Sequence, residues 1–472
     1  MLGNLGSSID NIMRKNASNG FSGYLLVVRD SEIIYAKGFG FSNQETEILI
    51  NHNTVFDIGS LSKQITAAAI LKLEMEGLLS VNSVLIDFFD DIPEDKQNIS
   101  IHQLLTHTSG LSFALGGAYE KISKENMLDK AFSSELRSVP GEEYHYSHLG
   151  YNILAAVIEE IIDVDYETYL SKKLFRPAGM KHTGYVIPDW DNGQISHGYN
   201  REIINGNSII NDWGKPVDYP WSEKGPYWYY QGSGGILSSP QDIYNWDIAL
   251  KGNKILSEEA KNKFFTAHVN RGRERPDYYG YGWAVSTSRR NTKVVTHNAD
   301  NGKFYSELMR YLDDNVTIYL CSNNSPGGIT GLTIEIARLI FVENYIAKES
   351  IIRVSNLDSI PDNINGSRLN ELVSYNEETE NLILNDFIER NFSKRLIDKY
   401  NIIRLTRFLK LYYRSVGTTE IKRIINYGNS RFEIFQFSKS KDKWYLLKLR
   451  FTNDEDKLID TISFDDIDPL EE

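Results

Sequence analysis

The stretch Phe56–Ser80, FDIGSLSKQITAAAILKLEMEGLLS, reads as a strand end running into a buried helix. Ser60 follows Gly59 and has the chemistry of a helix N-cap, a hydroxyl that accepts from N–H groups of the first turn. A capping box asks for Glu or Gln at the third helical position, and Lys63 stands there instead. A cation at that end opposes the helix dipole. Ile65, Ala67, Ala68, Ala69, Ile70 and Leu71 leave little polar face, so the ammonium is also desolvated. Both effects push its pKa down. Residues three apart on a helix share a face, so Lys63 reaches Ser60 Oγ, while Ser62, next to Lys63, points elsewhere. Ser60 is therefore the expected nucleophile and Lys63 the group that helps take its proton. Backbone N–H groups at the helix start lie near a developing oxyanion. The same spacing recurs at Ser438 with Lys441 and Ser440 with Lys443, in FSKSKDK, where the surrounding charge reads as a solvated turn.

The rest of the chain gives that pair ample room to be buried. Its 472 residues predict more than one domain, and 41% hydrophobic with 24% charged residues is an ordinary globular balance. A formal charge of −13 argues against nucleic acid as a main partner. The single cysteine, Cys321, excludes an intrachain disulfide and reads as a small buried residue in the strand-like VTIYLCSNN. The opening MLGNLGSSIDNIMRKN lacks a signal-type apolar run, and no segment suits a membrane span. A cytoplasmic location is expected, or an exported one if the chain is a trimmed form of a longer protein.

Gly23–Gly40 reads as a hairpin turning at Asp30-Ser31. TKVVTH, FYSELMRYL and NVTIYLCSN read as three later strands, the last two joined at Asp313-Asp314. Between these groups lie apolar helices in SIHQLLTH and GYNILAAVIEEIID, and TIEIARLIFVENYI follows the last strand. This pattern predicts an α+β domain over residues 1–352. Residues 353–366, rich in Asn, Asp, Ser, Pro and Gly, read as a linker. Residues 367–472 read as helices and then three strands, RFEIFQFSK, KWYLLKLRF and KLIDTISFDD, a small α+β accessory domain.

Several pieces follow one another in a recognisable order: FDIGSLSK, IHQLLTHTSGL, PGEEYHYSHLGYNILAAVIE, FRPAGMKHTGY, GSGGILSSPQDIYNW, YGYGW and THNADNGKFYS. In this the chain resembles the serine β-lactamase and penicillin-binding-protein-like family, in its class C and esterase branch. The resemblance spans about Gly23 to Ile346. It implies an antiparallel five-stranded sheet flanked by helices, plus a helical subdomain. It also implies three catalytic elements: Ser60 with Lys63; Tyr146-Ser147-His148; and an edge strand carrying His297-Asn298-Ala299. Tyr146 would shuttle protons if Lys63 lowers its pKa. The N–H of Asp300 would complete the oxyanion hole with that of Ser60. His148, His297, Asn298, Ala299 and Asp300 are the expected substrate-binding positions. Two depart from the family pattern. His148 replaces Asn, with a charge that varies with pH. Ala299 replaces Gly, so a methyl is expected to narrow the cleft. The accessory domain weakly resembles NTF2-like or cystatin-like units.

The leading expectation is a cofactor-free serine hydrolase acting through an acyl-enzyme on an ester, D-amino-acid peptide or β-lactam carbonyl. The alternative is a catalytically weak or inactive penicillin-binding or sensing protein of the same fold. His145 and His148, three apart, raise a metal pair, but no third ligand and no HExxH accompany them, so no metal is expected. The segment Trp213–Gly235 gathers Trp213, Tyr219, Trp221, Tyr227, Trp228, Tyr229 and Tyr230. It reads either as a self-packing loop or as an aromatic rim for an acyl or peptide group.

Overall fold

The computed structural model describes residues 4–467, except 192, 205–206, 219–220, 223–224, 273–276, 325–328, 344, 346–353, 358–363, 428–430 and 453–455. Its central element is an antiparallel sheet of β1 (Gly23–Arg29), β2 (Glu32–Phe39), β3 (Val269–Asn270), β4 (Tyr278–Tyr279), β5 (Ala284–Thr287), β6 (Lys293–Asp300), β7 (Tyr305–Tyr311) and β8 (Val316–Ser322), in the order β3-β4-β5-β6-β7-β8-β1-β2. The five long strands are β1, β2, β6, β7 and β8. The short β3, β4 and β5 widen the sheet beyond the expected five. The hairpin turn is at Asp30 and Ser31, which take φ of 51° and 68°, as a two-residue turn with matching twist requires.

Both faces of the sheet are covered. Leu25 and Val27 of β1 face the amphipathic helix Asn4–Ser18 and helix Leu332–Phe341, in a cluster with Ile9, Ile12, Met13, Ile318, Leu320, Leu332 and Ile336. Tyr24, Leu26 and Val28 face the other way, into the larger core with helices Ser62–Met75 and His148–Ile162. This alternation makes β1 apolar along nearly its whole length. Helix Pro240–Lys251 is tied to the sheet by a buried ion pair, Arg310 Nε to Asp247 Oδ1 at 2.7 Å. Thr317 Oγ1 donates to the same oxygen at 2.7 Å. Cys321 is fully buried, and burial pushes its thiol pKa up to about 12.

A second, separate hydrophobic cluster runs from Leu369 to Ile459. Here helices such as Asn381–Asn391 and Ile402–Val416 share a core with the antiparallel sheet β9 (Val354–Leu357), β10 (Thr419–Tyr427), β11 (Arg431–Ser438), β12 (Lys443–Phe451) and β13 (Ile459–Ile467). The linker expectation for 353–366 is corrected at both ends. Val354–Leu357 is the edge strand of this sheet, and Ile364–Gly366 open a helix; 353 and 358–363 lie outside the described residues. An edge strand pairs on one side only and tolerates the polar composition that suggested a linker. Of the second Ser-x-x-Lys stretch, residues 439–442 form the exposed turn between β11 and β12, as expected, whereas Ser438 is the buried last residue of β11.

Gly282, in the turn before β5, fixes how the sheet meets helix Ser62–Met75. Its φ is +78°, and a Cβ there would lie 2.8 Å from the Lys63 carbonyl oxygen and 2.9 Å from Gln64 Cα. Neither backbone atom can give way without moving the helix start. Gly282→Ala is expected to cost roughly 2–3 kcal/mol of stability, read as a lower urea midpoint with an unchanged slope.

Candidate active site

Gly59–Leu61 forms a 3₁₀ turn, and the α-helix proper starts at Ser62, one residue later than expected. Gly59, at φ +49°, permits this tight entry. The N-cap expectation for Ser60 is therefore corrected: its hydroxyl makes no cap. Instead Ser60 Oγ accepts from Lys63 Nζ at 3.2 Å. Lys63 Nζ also donates to the Ser233 carbonyl at 2.6 Å. Ser62 points away and accepts the Ile236 N–H at 3.2 Å. Lys63 is fully buried, and desolvation holds its pKa well below the usual lysine value. Its ammonium position is roofed by two rings, Tyr146 at 4.9 Å and Tyr151 at 5.6 Å from the centroids.

The second element arrives at the start of helix His148–Ile162. Ser147 is its N-cap, accepting the Gly150 N–H at 3.0 Å and donating to the Ser112 carbonyl at 2.7 Å. Capping at Ser147 fixes Tyr146 and His148 on either side of it. The Tyr146 phenol lies beside Ser60, whose hydroxyl favours the phenolate in part. Its pKa is raised by burial, not lowered by Lys63, so it stays a neutral phenol, a correction to the expected direction. Burial disfavours the phenolate more than the Ser60 hydroxyl favours it. His148 is likewise corrected. Burial, with Lys63 and His297 nearby, pushes its pKa down to about 2, so it is a neutral imidazole at working pH. His145 sits 3.1 Å from Glu143, while the His148 ring packs on Phe113 with centroids 4.5 Å apart, so the two histidines have different partners.

The third element is the end of β6, which lies against the Gly59–Leu61 turn. His297 is buried; its Nδ1 donates to the Asn298 carbonyl at 2.9 Å, which leaves Nε2 to accept the Tyr279 hydroxyl at 3.1 Å. Burial pushes its pKa down to about 3. Asn298 and Asp300 are exposed on the alternate face. Ala299 is buried, and its methyl is directed at Gly59, where an added Cβ would come within 2.7 Å of it. The expected narrowing of the cleft is corrected: the methyl fills space left by a glycine in the neighbouring turn.

Ser60, Lys63, Tyr146, His148, His297, Ala299 and the Asn298 and Asp300 positions thus converge on one site. Other members were not singled out from sequence. His107, at φ +60°, accepts the Ser147 N–H on Nδ1 at 3.0 Å and packs its ring 4.3 Å from Tyr146 and 4.6 Å from Tyr279. Asn152 Nδ2 donates to Gln231 O at 2.6 Å and Ser233 Oγ at 3.0 Å, fixing the loop whose carbonyl meets Lys63. Phe113, 51% exposed, stands over His148 as an apolar wall. The fragments IHQLLTHTSGL, PGEEYHYSHLGYNILAAVIE, YGYGW and GSGGILSSPQDIYNW carried His107, Asn152, Tyr279 and Ser233, and Phe113 lies just beyond the first; only the fold shows where they meet. Of the aromatic segment, Tyr229 and Tyr230 are buried and form no rim. Trp213 packs 5.7 Å from Tyr119 and 6.5 Å from Phe304. Trp228 lines a cavity of about 720 Å³ with Tyr227, Glu159 and Gln231. Tyr219 and the Trp221 side chain lie outside the described residues.

A sheet flanked by helices, with a serine, lysine and tyrosine meeting beside its β6 strand end, defines the β-lactamase/transpeptidase-like class of fold. The octameric penicillin-binding-protein homologue from Pyrococcus abyssi is similar over 99% of this chain and 97% of its own, with a TM-score of 0.65 and 19% identity. The sequence matches the Beta-lactamase family over residues 9–337, and the chain belongs to that family. Penicillin-binding protein 4* of Bacillus subtilis is 27% identical over 315 residues, 64% of this chain and 68% of that protein. The putative penicillin-binding protein PbpX of the same organism is 31% identical over 267 residues, 57% of this chain and 63% of that one. The chain thus spans about two thirds of the length of these relatives. No helix among the described residues is long and apolar enough to cross a membrane.

The lysine environment has a measurable signature. A lysine whose pKa is lowered on folding binds fewer protons than when unfolded, so its contribution to stability rises with pH between its folded pKa and the ordinary value of 10.5. Lys63→Met removes that contribution. The stability of the variant relative to wild type, measured by chemical denaturation, is expected to fall as pH rises towards about 10.

Proposed function

We propose that the chain is a serine hydrolase that forms an acyl-enzyme at Ser60. The observation that carries this is the pairing of hydroxyl and amine: Lys63 Nζ stands 3.2 Å from Ser60 Oγ, and the Tyr146 ring lies 4.9 Å from the same amine. Ser60 Oγ attacks a carbonyl carbon while its proton passes to the Lys63 amine, whose lowered pKa favours the uncharged form that accepts it. The backbone N–H groups of Ser60 and Asp300 hold the oxyanion. Tyr146 donates its phenolic proton to the leaving amine or alkoxide and recovers one from Lys63, which returns the site to its starting charge. Water then attacks the acyl ester, activated by the same amine, and the carboxylic acid leaves. The residues supply nucleophile, base, acid and oxyanion donors, so the cycle runs without a cofactor.

Carboxylic esters and D-amino-acid amides or peptides are the proposed substrates. Neutral His148 offers an N–H and a lone pair, so it can hydrogen-bond an acyl amide as the family's Asn would. Exposed Asn298 and Phe113 offer a polar and an apolar contact to the same acyl group. A β-lactam would acylate Ser60 by the same route. A second reading, a sensor that acylates without turnover, is favoured by His148 alone, whose ring occupies space that a shorter amide would leave to water.

A fluorophosphonate probe is expected to add one label to wild type and none to Ser60→Ala, by intact mass. Nitrophenyl esters, a D-Ala-D-Ala peptide and nitrocefin compared on one preparation separate the substrates, and acylation without release selects the sensor. Tyr146→Phe is expected to slow acyl transfer roughly 10²- to 10⁴-fold with little change in KM, and chelators to leave the rate unchanged.

A further inference from the structure

Asp57 lies three residues before Ser60 and is 2% exposed. Its Oδ1 accepts the Gly59 N–H at 2.7 Å. Its Oδ2 accepts the Tyr230 hydroxyl at 2.9 Å and Asn301 Nδ2 at 3.1 Å. Gly59 opens the turn that carries Ser60. Asn301 follows Asp300 at the end of β6, and its Oδ1 accepts the N–H groups of Lys303 at 3.1 Å and Phe304 at 2.7 Å. Tyr230 belongs to the segment whose Ser233 carbonyl meets Lys63 Nζ. One carboxylate therefore joins three pieces of chain that each present part of the site.

This carboxylate is an expensive choice for a purely structural joint. It has no ion pair among the described residues, and the titratable groups that face it are phenols: Tyr230, Tyr119, Tyr185 and Tyr319. Burial raises its pKa to about 6 against the hydrogen bonds from Gly59, Tyr230 and Asn301. The folded chain thus holds the proton more tightly than the unfolded chain does. Stability is full below the unfolded value of 3.8 and is lost as pH rises through about 6. An asparagine would remove that penalty. Its amide, however, has one acceptor oxygen and would turn N–H groups towards at least one of the three donors. Only the ionised carboxylate accepts from all three at once.

We propose that Asp57 is a positioning residue for acyl transfer: its carboxylate sets the separation between the Ser60 turn and the Asp300 end of β6, the two oxyanion donors. This rests on the hydrolase reading above. The reasoning is geometric, since a carbonyl oxygen is stabilised only if both N–H groups converge on the place where its charge develops. Asp57 itself reaches no substrate; it acts through Gly59 and Asn301.

The test is the rate of Ser60 acylation by a fluorophosphonate, followed by intact mass on the full chain between about pH 5 and pH 9, with thermal unfolding at each pH. In wild type the rate is expected to fall as pH drops through about 6. Asp57→Asn is expected to be roughly ten- to a hundredfold slower at pH 8, to lose the part of that limb that protonation of Lys63 does not account for, and yet to unfold at a higher temperature than wild type. A merely structural joint would show the reverse: lower stability with the limb retained. Tyr230→Phe removes one donor from the carboxylate, so it is expected to shift the limb to higher pH. Equal rates and limbs in wild type and Asp57→Asn would overturn the role of Asp57 alone. An unshifted limb in Tyr230→Phe would overturn it too, should the first variant not fold. Absence of any label in wild type would overturn the hydrolase reading and this role with it.

Discussion

The site depends on keeping one amine out of water. Lys63 is fully buried, and among the described residues no carboxylate pairs with it. A neighbouring carboxylate would restore its charge and leave Ser60 with a proton donor for a partner. The surroundings instead offer a backbone carbonyl and two ring faces. Each tolerates an uncharged amine and orients it, and none raises its pKa as an ion pair would. The same choice extends outward. His107, His148 and His297 are all pushed towards the neutral form, chiefly by burial. On the proposed reading, proton traffic is thereby confined to the lysine, the tyrosine and the serine hydroxyl.

That confinement requires chain-distant pieces to be held closely. Each arrives by a local device. The 3₁₀ turn at Gly59 presents Ser60. The N-cap at Ser147 presents Tyr146 and His148. The capping box between Ser100 and Gln103 starts the short helix that leads to His107, which in turn receives the Ser147 N–H. Thr66, one turn beyond Lys63, bonds the Gly232 carbonyl at 2.6 Å and brings the glycine-rich loop onto the helix. The larger sheet is the common base for these pieces, with both faces covered, so that none of the devices is freely exposed to water.

Much of this was legible in sequence because it is local. The hairpin at Asp30-Ser31, the apolar helix after Ser60 and the Ser60–Lys63 spacing are set by periodicity and turn chemistry, which act over a few residues. The convergence of Tyr146 and His297 on that helix was reached only through the order of family-like motifs. Nothing in their own flanking residues specifies it. Thr419–Tyr427 escaped notice as a strand since Lys422 and Arg423 interrupt its alternation, at the position where the pairing with β11 shifts register. Phe113 and His107 were invisible as site members for a different reason. Exposure of an aromatic and a positive φ are properties of the folded chain, and neither has a composition signal. The lowered pKa expected of Tyr146 and the pH-dependent charge expected of His148 failed on the same ground, because burial by chain-distant residues is the largest influence on both.

The two departures from the family pattern are therefore of different kinds. Ala299 is a packing exchange: its methyl is directed at Gly59 and leaves the exposed residues of β6, Asn298 and Asp300, unchanged in direction. Such an exchange alters how the turn and strand fit together, and leaves the chemistry of the site as it was. His148 is a change of chemistry, since it swaps an amide for an aromatic ring packed against Phe113, with centroids 4.5 Å apart. A ring held in that contact has fewer orientations than a free side chain. On the hydrolase reading proposed above, it would select among acyl groups by direction of hydrogen bonding as well as by size. On that reading the departure from the family that bears on substrate choice is at His148 and Phe113, and the buried surroundings of Lys63 are not altered by it.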